Sequence, residues 1–298
     1  MKQNSLSPVN YRPSSQAGQG AVLLCALFWS TSGLFIKLID WHPIIIAGLR
    51  SFVAALFMLA IRFLFPRRGK GKNKPFPLVA GGLAYALTMI CFVIANKLTA
   101  SANAILLEYS APVWAALLGW FLIKEKPRWE HWLALALVMG GLYLFFKDGL
   151  AGGSLLGDGI AVLAGIFFGA NSVFMRMQKE GNPSDTMLVA HIITSLFCLP
   201  FLVIFPPVFT AQSISSILFM GIIQIGCASL LFAYGIKRVP AVQAMLTAMA
   251  EPILNPVWVL LVTGEKPSLS ALMGGGVIVA AVLISTLVGK NRERREAG

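Results

Sequence analysis

Charge is scarce in this chain. Asp, Glu, Lys and Arg make up 12% of its 298 residues, about half the share of a typical soluble domain. That is too little for a water-facing surface, so a soluble globular fold is excluded. Acidic residues are the scarcer sign, 12 against 24 basic, and histidine occurs 3 times. Cysteine is also sparse. Cys25, Cys91, Cys198 and Cys227 each lie inside an apolar run with no metal-ligand spacing, so they read as small hydrophobes rather than disulfides or ligands. There is no Gly-rich phosphate loop and no G-x-S-x-G elbow, so neither enzyme activity nor a cofactor is expected. Period-two alternation is missing as well, which argues against a barrel.

What is present is apolar sequence, 57% of the chain. Runs of about 20 residues recur from end to end, the mark of a polytopic helical membrane protein. Ten spans are expected, at 19–39, 43–65, 76–95, 101–122, 129–146, 157–177, 186–206, 215–236, 241–262 and 267–289. Residues 1–18 read as a disordered tail and 290–298 as a basic one, with no cleavable signal peptide.

The net charge of +12 could suggest a nucleic-acid partner, but its placement does not. Eighteen Lys and Arg fall in the tails and the 2–3, 4–5, 6–7 and 8–9 connections; four fall in the others; Arg50 and Arg62 lie within span 2. The positive-inside rule then puts both termini in the cytoplasm.

The chain also repeats itself. Phe65-Pro66, Phe92, Lys97, Pro112 and Glu125-Lys126-Pro127 recur 140 residues later as Phe205-Pro206, Phe232, Lys237, Pro252 and Glu265-Lys266-Pro267. Each half, 19–148 and 157–289, holds five spans. Five is odd, so the second half enters the membrane from the opposite side. An inverted repeat of this kind is common in secondary transporters, whose site lies at the repeat interface near mid-membrane.

Three ionisable groups sit well inside spans. Arg50 and Glu108 are each the eighth residue of a span entering from outside, roughly 10 Å deep at 1.5 Å per residue. Equal depth makes them a plausible ion pair, either structural or functional. Glu251 lies near the middle of span 9, where the first half has Ala111. A lone carboxylate there is a candidate proton-exchange group, or a neutral acid bonded to a carbonyl freed by the adjacent proline. Gln243, Thr247, Glu251 and Asn255 are spaced four apart and would stack along one side of a helix. Pro252 and Pro256 interrupt that helix.

Other polar and aromatic groups are candidate cavity lining, although each has an ordinary packing role as its alternative. Asn103 is the repeat mate of Gln243, and Ser32 that of Asn171. Trp114, Trp258 and Tyr85 could form aromatic walls. His191 reads as a packing residue. Gly165-xxx-Gly169 and Gly274-Gly275-Gly276 suit close helix contact.

The segments LLEYSAPVWAALLGWFLIKEKP and MAEPILNPVWVLLVTGEKP resemble paired signatures of the drug/metabolite transporter superfamily, EamA family. The resemblance covers essentially the whole chain. It implies an all-α integral membrane fold, ten helices in two inverted five-helix repeats around a central cavity. It also implies a secondary transporter, often an exporter, of amino acids or other small metabolites in a bacterial inner membrane. Glu125 and Glu265 match the family's Glu at the ends of spans 4 and 9, and Pro112 and Pro252 its prolines. The expected partners are a small-molecule substrate, lipid and, through Glu251, protons. Spans 5 and 10 would sit at the periphery or form a homodimer contact. The competing class is a non-transporting receptor or scaffold.

Overall fold

The computed structural model describes residues 16–31, 35, 39–65, 71–99, 101–147, 154–263 and 269–297. Their secondary structure is helical. The helices are α1 (Gln16–Trp29), α2 (Pro43–Leu64), α3 (Pro75–Leu98), α4a (Ser101–Glu108), α4b (Ala111–Ile123), α5 (Trp129–Phe146) and α6 (Leu155–Met177). They continue as α7 (Pro183–Cys198), α8a (Ala211–Phe219), α8b (Ala228–Ile236), α9a (Ala241–Ala248), α9b (Ala250–Thr263) and α10 (Leu269–Ala297). A π-helical stretch, Met220–Cys227, joins α8a to α8b.

Local chemistry accounts for the boundaries. Proline opens α2, α3, α4b and α7, where its missing N–H is no loss and its φ suits the first turn. Ser154 caps α6 by accepting from the Gly157 amide, and Thr210 and Ser213 form a reciprocal cap on α8a. The seventh span is shorter than its apolar run. It stops at Cys198, and only Phe201–Ile204 continues beyond Pro200, because proline cannot extend the hydrogen-bond ladder.

Burial is inverted relative to a water-soluble protein. Leu155 and Val203 are 91% and 87% exposed, whereas Ser51, Asn171, Thr186, His191 and Ser229 are buried. Polar groups inside an apolar jacket suit hydrocarbon, where every buried donor must be met within the protein. Five helices, such as Pro43–Leu64 and Leu155–Met177, are long and apolar enough to cross a bilayer, and shorter apolar helices accompany them. This is a multi-pass membrane protein.

The helix contacts fall into pairs that follow the sequence repeat. α3 packs on α6 as α1 packs on α8b; α4 packs on α6 as α1 packs on α9; α3 packs on α7 as α2 packs on the π segment. The contacts α2–α7 and α5–α10 each map onto themselves, whereas α4b packs on α9a, which is not its repeat mate. Gly81 and Gly221, 140 residues apart, hold equivalent close approaches. A Cβ on Gly81 would lie 2.6 Å from Thr186 of α7, and one on Gly221 would collide with Val53 of α2.

α5 and α10 form a peripheral pair. Their glycines meet face to face: a Cβ on Gly274 would strike the Gly141 carbonyl and the Phe145 amide. The small-residue face is therefore used within the chain. Gly274→Val should lower the apparent melting temperature in detergent by roughly 3–10 °C, as overpacking of about 1–3 kcal/mol requires. Gly140→Ala and Gly276→Ala, where a Cβ meets nothing within 4 Å, should leave it unchanged or raised. Equal losses at all three positions would refute this packing.

Candidate functional site

The site begins with two broken helices. Pro112 has no amide to give the Glu108 carbonyl, and Pro252 none for that of Ala248. Each helix breaks just before its proline, at Tyr109–Ser110 and at Met249. The breaks are closed by tight i→i−3 bonds, Ser110 N to Leu107 O at 3.1 Å and Met249 N to Leu246 O at 3.1 Å. Tyr109 and Met249 pack in one apolar cluster with Val242 and Leu246, so the two breaks lie side by side. A Cβ on Gly165 of α6 would lie 2.8 Å from the freed Glu108 carbonyl, and one on Gly169 would lie 2.7 Å from that of Ala111. The expected Gly-xxx-Gly contact thus seats α6 against the break.

The charged groups gather around these breaks. The Arg50 guanidinium on α2 lies close enough to Glu108, Glu251 and Tyr85 for their charges to interact. Glu108 also lies within electrostatic reach of Glu251, and Tyr109 lies beside the Glu251 carboxyl. Arg50, Glu108 and Glu251 are only part-buried by surface area, yet all three are interior.

Equal depth does not make Arg50 and Glu108 a contact pair. Among the described residues no ion pair joins them. One Arg50 terminal nitrogen donates instead to Met89 Sδ at 3.4 Å, and Arg50 Nε has no partner. Neither Tyr109 nor Met89 was singled out in the sequence. Tyr109 was legible in principle, because residues beside the repeat's crossing point lie next to their partners from the other half. A methionine in an apolar helix gives no such signal.

The remaining candidates divide. The row of Gln243, Thr247, Glu251 and Asn255 is interrupted at Met249; Gln243 and Thr247 are buried, and the Thr247 hydroxyl donates to the Gln243 carbonyl at 2.8 Å. Asn103 sits at the far end of α4a, 3.5 Å from Asp158, which also accepts from Thr99 at 2.7 Å. Asn171 ties α6 to α3 through the Gly81 carbonyl at 2.9 Å. Trp114 donates within its own helix to Ser110, whereas Trp258 crosses to Ser30 of α1 at 2.8 Å. Tyr85 stands edge-on to His191, which bonds Ser229 at 2.9 Å. Ser32 and Glu265, and the side chain of Asn255, lie outside the described residues. All four cysteines are free.

At one end of the bundle, ionic contacts fasten the connections. Lys124 ends α4b in the left-handed region, φ 57°, and the Glu125 amide returns to the Gly119 carbonyl at 3.1 Å. This turn aims Glu125 at Arg176, Oε1 to Nε 2.7 Å. Arg176 also donates to the Ile236 and Lys237 carbonyls at the end of α8b, at 3.0 and 2.8 Å. The Ala241 amide of α9a donates to Glu125 Oε2 at 3.4 Å. Nearby, Arg62 pairs with Asp185 at 2.8 Å and Gln178 brackets the Lys74 backbone. The opposite end is held by aromatic rings, His42 on Phe205 at 4.0 Å and Phe35 on Phe219 at 4.2 Å.

The described helices form a membrane bundle in which paired, proline-broken helices meet near interior charges. A sequence model of the EamA-like transporter family matches residues 16–147 and again 155–287, and the chain belongs to that family. It is 28% identical over 287 residues to the uncharacterized transporter YwfM of Bacillus subtilis (strain 168), covering 93% of this chain and 96% of that one. An uncharacterized transporter of Archaeoglobus fulgidus is 26% identical, covering 90% and 96%. One crystal structure superposes with a TM-score of 0.81 at 19% identity, over 94% of this chain and all of that chain; at that identity it speaks to fold alone. The protein is thus a membrane transporter with a small-molecule substrate.

Because Glu125 and Arg176 are partly buried and paired with each other, they should behave as a unit. Glu125→Gln and Arg176→Gln should each lower thermal stability. The double variant should lose less than the sum, with a coupling on the order of 0.5–3 kcal/mol. Additive losses would show that the contact carries no energy.

Proposed function

We propose that the protein is a secondary transporter that exports small metabolites such as amino acids across a bacterial inner membrane by alternating access. In this reading ten spans form two inverted repeats, 19–148 and 157–289, around a central cavity, with both termini in the cytoplasm. The observation that carries it is the meeting of the two helix breaks beside Arg50, Glu108 and Glu251. A broken helix pair supplies a flexible crossing point, and interior charges of both signs supply a polar site at that point. A zwitterion could place its carboxylate toward Arg50 and its ammonium toward the two carboxylates.

Protons are the proposed coupling ion, with Glu251 the exchanging group. Tyr109 and Arg50 lie beside it, and Glu108 is within electrostatic reach. A homodimer would have to use faces of α5 and α10 other than their mutual glycine contact.

Flux of a panel of amino acids, nucleobases and organic cations in proteoliposomes, at two pH values, tests the function. Transport of at least one class is expected. Binding without flux would favour a receptor or scaffold instead. Glu251→Gln should abolish the pH dependence of transport while leaving substrate exchange; full retention of pH dependence would remove proton coupling through this residue.

A further inference from the structure

Beside the charged group lies an apolar crevice between α2, α3 and α7. Its volume is about 110 Å³, and its lining includes Ala47, Met89, Val93, Thr194 and Cys198. Two observations connect it to Arg50. Ala47 precedes Arg50 by three residues on α2, so both lie on one helix face. Met89, a wall of the crevice, is also the residue whose sulfur receives the Arg50 hydrogen bond.

A thioether is a weak acceptor for a guanidinium, whose fork suits a carboxylate. Arg50 Nε is buried with no partner at all. The cation is therefore incompletely satisfied, and the group occupying one of its donors is a flexible side chain that can change rotamer. The crevice is open along one side, where Ile94 and Phe197 are exposed, and its apolar walls suit a short hydrocarbon tail.

We propose that Arg50 and this crevice form one binding site for a small carboxylate bearing an apolar tail. The carboxylate replaces Met89 Sδ on Arg50, Met89 swings aside, and the tail enters the crevice against Ala47 and Thr194. Glu108 and Glu251 then face whatever cationic group the substrate carries. The crevice sets the substrate's preference for a branched aliphatic side chain over a bare or polar one. This rests on the transport reading above.

In full-length protein in nanodiscs, protection against thermal unfolding is followed at increasing ligand concentration. L-leucine should raise the unfolding temperature. Glycine, which lacks the tail, should require at least about tenfold higher concentration for the same protection, given the transfer free energy of the missing carbons. L-leucinamide, which lacks the carboxylate, should be similarly weak. Thr194→Leu, which fills the crevice, should erase the preference of leucine over glycine; Ala47→Phe serves if that variant does not fold. Leucine protection that survives both fillings would overturn the proposal. So would the absence of leucine protection, and a lipid acyl chain would then be the occupant. Leucine flux without any preference for the tail would sink this site and leave the transport reading standing. No binding or flux of any probe would sink both.

Discussion

A charge inside hydrocarbon must be met within the protein, and that requirement organises this bundle. Arg50 cannot be left alone at its depth, nor can Glu108 or Glu251. The fold brings the three to one place, each within electrostatic reach of another. No direct ion pair completes the compensation among the described residues. Arg50 leans on a methionine sulfur, and Glu251 is faced by Tyr109. Charges that balance collectively, without pairing off, leave donors and acceptors for a third molecule.

The helices around this group are built to bring it about. Prolines break α4 and α9 at equivalent points, and Gly165 and Gly169 of α6 let the backbone of the α4 break approach closely. The ends of the bundle are fastened by different chemistry. Ion pairs centred on Arg176 and Asp185 close one end, and stacked rings close the other. Ionic contacts weaken with salt and aromatic stacking does not, so the two ends should respond differently to ionic strength.

Much of the fold was legible because membrane spans and a long repeat are one-dimensional signals. Apolar run length placed the helix starts to within four residues, but the seventh helix ends early at Cys198 and the tenth runs on to Ala297. Pro252 marked a break, whereas α9b runs through Pro256 without one because neighbouring turns carry the helix past a single missing amide. The free cysteines and the packing role of His191 followed from their apolar surroundings. The site was less legible because it depends on which faces meet. Depth alone suggested an Arg50–Glu108 contact, but Met89 of a third helix takes that donor. The four-residue spacing from Gln243 to Asn255 assumed an unbroken helix, and the turn at Met249 interrupts it. Asn171 and Thr247 looked like cavity lining, yet each satisfies a nearby backbone carbonyl. Tyr109 became visible as a partner of Glu251 only once helices 4 and 9 were seen to cross at their breaks.

The central claim is that Arg50 and the two carboxylates compensate one another. A double-mutant cycle tests it directly, with Arg50→Met and Glu251→Gln measured singly and together by thermal unfolding of the purified protein in nanodiscs. Each single change leaves an unbalanced charge in the interior, so each should destabilise. The double variant should recover a substantial part of the summed loss. Simple additivity would mean that the groups do not feel one another, and would contradict the account.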